Sequence, residues 1–123
     1  MITGQVMPSR DAVIRLQVSG PTGHWEEIEA SIDTGFNRYL TLPPSLISAL
    51  GLPFDALTRA ELADGRITAM RYYRGNVTWD GRDLTVPVLE SEGGPLVGMS
   101  LLYGYELRVQ VVDGGSVTIE RLP

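Results

Sequence analysis

The sequence predicts a mostly β domain, a small closed barrel or sandwich with one or two short helices, and three observations lead there. Apolar and polar residues alternate at period two along much of the chain, the mark of half-buried strands. The 14 glycines and 8 prolines are spread as punctuation between short apolar stretches and gather in no linker. The length of 123 residues supplies one core, so residues 1–123 are expected to form a single domain.

The elements follow in order. Ala12–Val18 sets Ile14, Leu16 and Val18 on one face and Arg15 and Gln17 on the other. Pro21-Thr22-Gly23 turns the chain. Glu27–Thr34 alternates cleanly, with Ile28, Ala30 and Ile32 against Glu27, Glu29 and Ser31. Pro44–Leu50 is predicted as a helix, opened by proline, followed by Gly51, and carrying the apolar stripe Leu46, Ile47 and Leu50. Met70–Trp79 reads as a weaker strand, because Gly75 interrupts it. Asp80-Gly81 is a hairpin-turn signal, and Leu84, Val86 and Val88 alternate after it. Pro95-Leu96-Val97-Gly98 is a short apolar run suited to a buried strand, and Ser100–Tyr103 to one or two helical turns. Leu107, Val109 and Val111 alternate with Arg108 and Gln110 before Asp113-Gly114-Gly115 turns the chain into a last strand, Ser116–Arg121.

Composition narrows the chemistry. With no cysteine, disulfides and thiolate catalysis are excluded. The formal net charge is −5 and the ten basic residues, all arginine, are scattered. Nucleic-acid binding needs a clustered basic patch and is not expected. No apolar run is long enough to cross a bilayer, and the first residues lack the basic and apolar regions of a signal peptide. A cytoplasmic protein with no membrane partner is therefore expected. His24, the single histidine, follows a turn, and Gly98-Met99-Ser100 lacks the second glycine of a nucleophile elbow, so a serine triad is not expected. Without a His or Cys cluster or a Gly-rich phosphate loop, neither a metal nor a cofactor is expected. Glu90-Ser91-Glu92-Gly93-Gly94 reads as a solvated loop, and Trp25, Trp79, Tyr72, Tyr73, Tyr103 and Tyr105 as core or groove residues.

One tripeptide stands out. Asp33-Thr34-Gly35 closes the cleanest strand of the chain. Parity puts Asp33 with Glu29 and Ser31 on the polar face and turns Thr34 inward, where its hydroxyl needs a partner. Gly35 allows a turn that a side chain would block. Taken alone, the tripeptide reads first as a strand-end turn with a capping aspartate, and only its surroundings favour a catalytic one.

Its surroundings give it a context. Ile28-Glu29-Ala30-Ser31-Ile32 runs into Asp33-Thr34-Gly35, the helix Leu46–Leu50 ends at Gly51-Leu52, Leu62-Ala63-Asp64-Gly65 forms a hairpin tip, and Leu96-Val97-Gly98 precedes Met99-Ser100-Leu101-Leu102. In that order the chain resembles the retropepsin-like aspartic peptidases, in particular small microbial single-domain members, over nearly its whole length. The resemblance implies a closed barrel of the acid-protease type and an endopeptidase whose site joins two D-T-G loops. The chain has one, so a homodimer is implied, with a peptide or protein as substrate. Asp33 would be the catalytic residue, paired with its symmetry mate. Two adjacent carboxylates share one proton, the ionised one activating water and the protonated one polarising the scissile carbonyl; this dyad is a standard worked case. Thr34 and Gly35 would shape the active-site loop, Thr34 bonding across the axis. Leu62, Ala63, Asp64 and Gly65 would form a substrate-covering flap with a flexible tip, Phe36 and Asn37 would border the substrate groove, and Gly98 would pack on the loop.

Three departures qualify the likeness. Phe36 stands where the family has Ala, Ser or Thr, so no hydroxyl supports the carboxylate. Asn37 and Met99 stand where retroviral members have a pairing Asp and Arg. The dimer would then be fastened elsewhere, with the terminal strands Ile2–Met7 and Ser116–Leu122 as candidates. The alternative from another class is a catalytically silent dimeric peptide- or protein-binding module of the same fold.

Overall fold

A computed structural model describes all of Met1–Pro123. Ten strands form one continuous sheet: β1 Ile2–Val6, β2 Ala12–Ser19, β3 Trp25–Ile32, β4 Leu40–Leu42, β5 Phe54–Glu61, β6 Ile67–Trp79, β7 Arg82–Glu90, β8 Leu96–Val97, β9 Tyr105–Val109 and β10 Ser116–Arg121. The helices are α1 Pro44–Leu50 and α2 Met99–Leu102. The sheet order is β5-β6-β7-β4-β8-β3-β2-β1-β10-β9, and an added β6–β2 pairing closes the middle strands into a six-stranded barrel. The barrel leaves one hairpin arm, β5 with the outer half of β6, and one flanking sheet, β1-β10-β9.

The alternating strands fold as their pattern requires. In β2 the residues Ile14, Leu16 and Val18 are buried and Arg15 and Gln17 exposed; in β3 Ile28 and Ala30 are buried and Glu27 and Glu29 exposed. Their inward faces join Leu40, Leu42, Val77, Trp79, Val86, Val88 and Val97 in one core cluster. Helix α1 plugs this core with Ile47 and Leu50, and ends on Gly51 as its sequence predicts.

Some elements depart from expectation. β6 is a 13-residue strand that runs through Gly75 without a break. A side chain at Gly75 would press within 3.0 Å of Val88 and 3.4 Å of Leu52, so its glycine makes room for core packing. β4 and β5 have no strand signal in the sequence. β4 is three buried residues between β7 and β8, and β5 is exposed along nearly its whole length, so neither shows period two. Trp25 is 58% exposed and Tyr103 88% exposed, whereas Trp79 fills the core against the edge of Tyr105.

The N-terminal end is tied to the turn between β6 and β7. Asp80 and Gly81 both have positive φ, the pattern of a two-residue hairpin turn, and the Asp80 carboxylate accepts a hydrogen bond from the Met1 ammonium at 2.7 Å. That hydrogen bond, reinforced by the charges of Met1 and Arg121, holds the Asp80 carboxyl below its ordinary value. A depressed carboxyl contributes stability above its unfolded value and loses it as pH falls through the folded one. Titration followed by carboxyl carbon NMR is expected to place Asp80 below free aspartate, with the shift removed when the terminal amine is acetylated.

Leu40 is completely buried in β4, where β4 joins β7 to β8. Leu40→Ala is expected to lower the unfolding free energy by about 2–5 kcal/mol in urea titration, through lost burial and the cavity left behind.

Candidate active-site loop

The end of β3 is held by β8. The Ser31 N–H donates to Pro95 O (3.0 Å) and the Asp33 N–H to Val97 O (3.0 Å), so the two strands run parallel and Asp33 stands one residue past the ladder. β8 is also bonded to β4 on its other side, and thus lies between two strands that are consecutive in the chain. Residues 33–39 cross over its end.

The crossing is tight. The Gly98 N–H donates to Tyr39 O (3.0 Å), the Met99 N–H to Phe36 O (2.8 Å) and the Ser100 N–H to Arg38 O (3.2 Å). The Ser100 hydroxyl donates to Asn37 O at 2.6 Å. A Cβ on Gly98 would fall 2.1 Å from Arg38 O and 2.7 Å from Phe36 O, so only glycine lets the two backbones approach this closely. The loop after the D-T-G turn is therefore fixed by the start of α2.

Within the turn, Asp33 is half-buried. Its Oδ1 accepts the Gly35 N–H at 2.9 Å, its carbonyl accepts the Phe36 N–H at 3.1 Å, and no hydrogen bond engages Oδ2. The carboxylate is oriented at one oxygen and free at the other. Gly35 does not take the left-handed conformation; a Cβ there would lie 3.3 Å from Asp33 Oδ1, so glycine leaves the carboxylate room. Thr34 is exposed and its hydroxyl has no partner within the chain, against the inward orientation that parity predicts. β3 ends at Ile32, and the turn that follows breaks the alternation two residues early.

The other predicted site residues divide. Asn37, Arg38 and Tyr39 border a cleft of about 350 Å³ that is closed by Tyr72, Pro87 and Ser100. Asn37 also borders a second cleft with Tyr39, Met99, Ser100 and Tyr103. Phe36 lines neither; its ring lies over Gly98 and packs the loop down. Tyr72 belongs to the base of the β5–β6 arm, so the arm and the loop share the first cleft.

The tip of that arm is the predicted Leu62–Gly65 segment. It forms a closed turn: the Leu62 N–H donates to Arg66 O (2.7 Å), the Gly65 N–H to Leu62 O (2.9 Å), and Gly65 takes φ of 86°. Asp64 accepts from the Arg66 backbone at 3.0 Å and pairs with its guanidinium at 2.6 Å. The Asp-Gly pair thus makes a tied tip, and Leu62, Ala63, Asp64 and Gly65 all face solvent.

One supporting residue carries no sequence signal. Thr41 is the only buried polar side chain, and its Oγ1 accepts the Leu96 N–H at 2.9 Å. It satisfies the first donor of β8 at the position where Thr41 and Leu96 stand opposite each other in the β4–β8 ladder. No group of His, Cys, Asp and Glu suited to a metal ion is present. A scan against models of known protein families found no match for the chain, and a search of curated proteins found none either.

Gly98→Ala is expected to destabilise the protein by more than about 2 kcal/mol, because two carbonyl oxygens stand where the methyl must go. Amide spectra should show the change concentrated at residues 33–39. Thr41→Val, which takes the acceptor from the half-buried Leu96 N–H, is expected to cost about 1–3 kcal/mol in the same unfolding assay.

Proposed function

We propose that the chain is one half of a two-chain aspartic endopeptidase in which Asp33 and Asp33 of a second copy activate a water between them. The observation that carries this reading is the Asp33 carboxylate itself: anchored through Oδ1 to the Gly35 N–H, unengaged at Oδ2, on a loop locked to β8. An Asx turn of this kind occupies one carboxylate oxygen, which leaves Oδ2 available to a water or to a second carboxylate. The exposed, unpartnered Thr34 hydroxyl adjoins it and suits a contact across a twofold axis. The resemblance of the D-T-G, hairpin and Leu96-Val97-Gly98 segments to the retropepsin-like peptidases agrees with both.

In this mechanism the ionised carboxylate takes a proton from water, whose oxygen attacks the scissile carbonyl carbon. The protonated carboxylate donates to the carbonyl oxygen as it gains charge. Collapse of the tetrahedral species breaks the C–N bond, and the departing amine leaves with a proton from the dyad. Asp33 does not line the cleft beside Asn37 and Tyr72, so substrate would have to extend from that cleft to the Asp33 carboxylate, with the β5–β6 arm as its cover. Only one backbone donor meets the Asp33 carboxylate and residue 36 offers no hydroxyl.

The test is cleavage of a diverse peptide pool between about pH 3 and 7 by wild type and Asp33→Asn. The expected outcome is a loss of at least about a thousandfold in kcat/KM, with folding and dimerisation unchanged, and block of the wild type by a statine-type transition-state analogue. No cleavage by a folded dimer, or an Asp33→Asn variant that loses stability instead of turnover, would assign the fold to peptide binding without hydrolysis.

A further inference from the structure

The cleft between the candidate loop and the base of the arm has one charged side chain in its walls, and that charge has no partner. Of its lining residues, Arg38 is the only basic one and none is acidic; the adjoining cleft with Met99 and Tyr103 adds no charge. Arg15, Arg66, Arg74 and Arg108 each meet a carboxylate of the chain, at 3.8, 2.6, 2.9 and 3.0 Å. The exposed Arg38 side chain meets none. Its main chain, by contrast, is fixed. Arg38 O accepts the Ser100 N–H at 3.2 Å and stands in the close approach to Gly98. A rigid base thus carries an unpaired guanidinium at the cleft.

The neutral groups beside it are of one kind. The Asn37 amide and the Tyr39 and Tyr72 hydroxyls line the same cleft, and none makes a hydrogen bond within the chain. All three can donate, and an acceptor that satisfies them together with a guanidinium is an anion with oxygen atoms.

The arm adds no competing charge from above. Tyr72 lines the cleft, and alternation puts Met70 and Thr68 on its face, opposite Ala56, Thr58 and Ala60 of β5. All six are uncharged. Arg59 and Arg71, which also lack a carboxylate, stand on the other face of the arm, paired with Ala69 and Leu57.

We propose that this cleft takes a carboxylate of an extended peptide, held by Arg38, and that Arg38 thereby sets which peptides the protein accepts. The planar guanidinium meets a carboxylate through two parallel hydrogen bonds, which gives direction as well as charge. The chain's net charge of −5 does not oppose this at close range, because exposed charges are screened beyond about 8 Å at physiological salt. The inference rests on the endopeptidase reading in one respect: the peptide that reaches Asp33 passes through this cleft. An acidic side chain and a free C-terminus present the same group, and the two are separable by experiment.

The test is binding, which needs no turnover. An immobilised library of extended peptides, made with free and with amidated C-termini, is probed with Asp33→Asn protein so that nothing is cut. Bound sequences are expected to share Asp or Glu at one position, and Glu→Gln there to lower affinity about tenfold or more in fluorescence anisotropy. Adding Arg38→Gln should abolish that difference, and adding Arg38→Glu should turn the preference to Lys or Arg. Neither change should move the urea midpoint, because the Arg38 side chain makes no bond within the chain. Binding lost on amidation but indifferent to internal Glu would place the carboxylate at the peptide's end, on the same arginine. Equal affinity for Glu and Gln peptides and for acid and amide termini would overturn the proposal. So would an acid preference that survives Arg38→Gln, or a library without a binder. Carboxylate-dependent binding to a wild type that cleaves nothing would sink the endopeptidase reading and leave this one standing; cleavage indifferent to peptide charge would do the reverse.

Discussion

The architecture depends on a strand of two residues. Leu96 and Val97 take hydrogen bonds or side-chain support from β3, β4 and Thr41, and their insertion between β3 and β4 completes the closed circuit of the barrel. So short a strand has almost no stability of its own. It is held because Val97 is fully buried in the common core and because its backbone groups have partners on both sides. The close approach at Gly98 then transmits that fixed position to the loop that presents Asp33. The geometry of the candidate site is thus set from beneath, by packing and backbone bonding, with no ion pair in the loop.

This arrangement divides the molecule into a rigid part and two outward-reaching parts. The barrel and α1 hold nearly all the buried apolar surface. The β5–β6 arm is exposed over most of its length and meets the rest of the chain through Tyr72 and Tyr73 at its base, where Phe54 sits edge-on to Tyr73. An arm with so few buried contacts is the part of the fold that can move at least expense to the core. The flanking sheet ends in a bare strand.

The ion pairs between arginine and carboxylate side chains are largely solvent-exposed, from Arg15 with Glu27 and Glu29 to Arg74 with Asp55, and such pairs contribute little to stability.

What the sequence determined by itself was the set of elements whose environment is uniform along their length. β2 and β3 have one face in the core and one in water, so period two marks them; α1 carries both its proline start and its glycine stop; Asp80-Gly81 is a turn on local grounds alone. Closure into a mostly β barrel followed from those. Tertiary structure alone decided β4 and β5, one buried on all sides and the other on almost none, since neither environment produces an alternation to read. It decided that Thr34 faces solvent, because a turn ends the parity that a strand would have continued. It also decided the parts played by Thr41 and Gly98, whose partners lie more than fifty positions away along the chain. Local sequence can specify a conformation, but which backbone group is left needing a donor, or where a methyl would collide, depends on what the rest of the chain brings alongside.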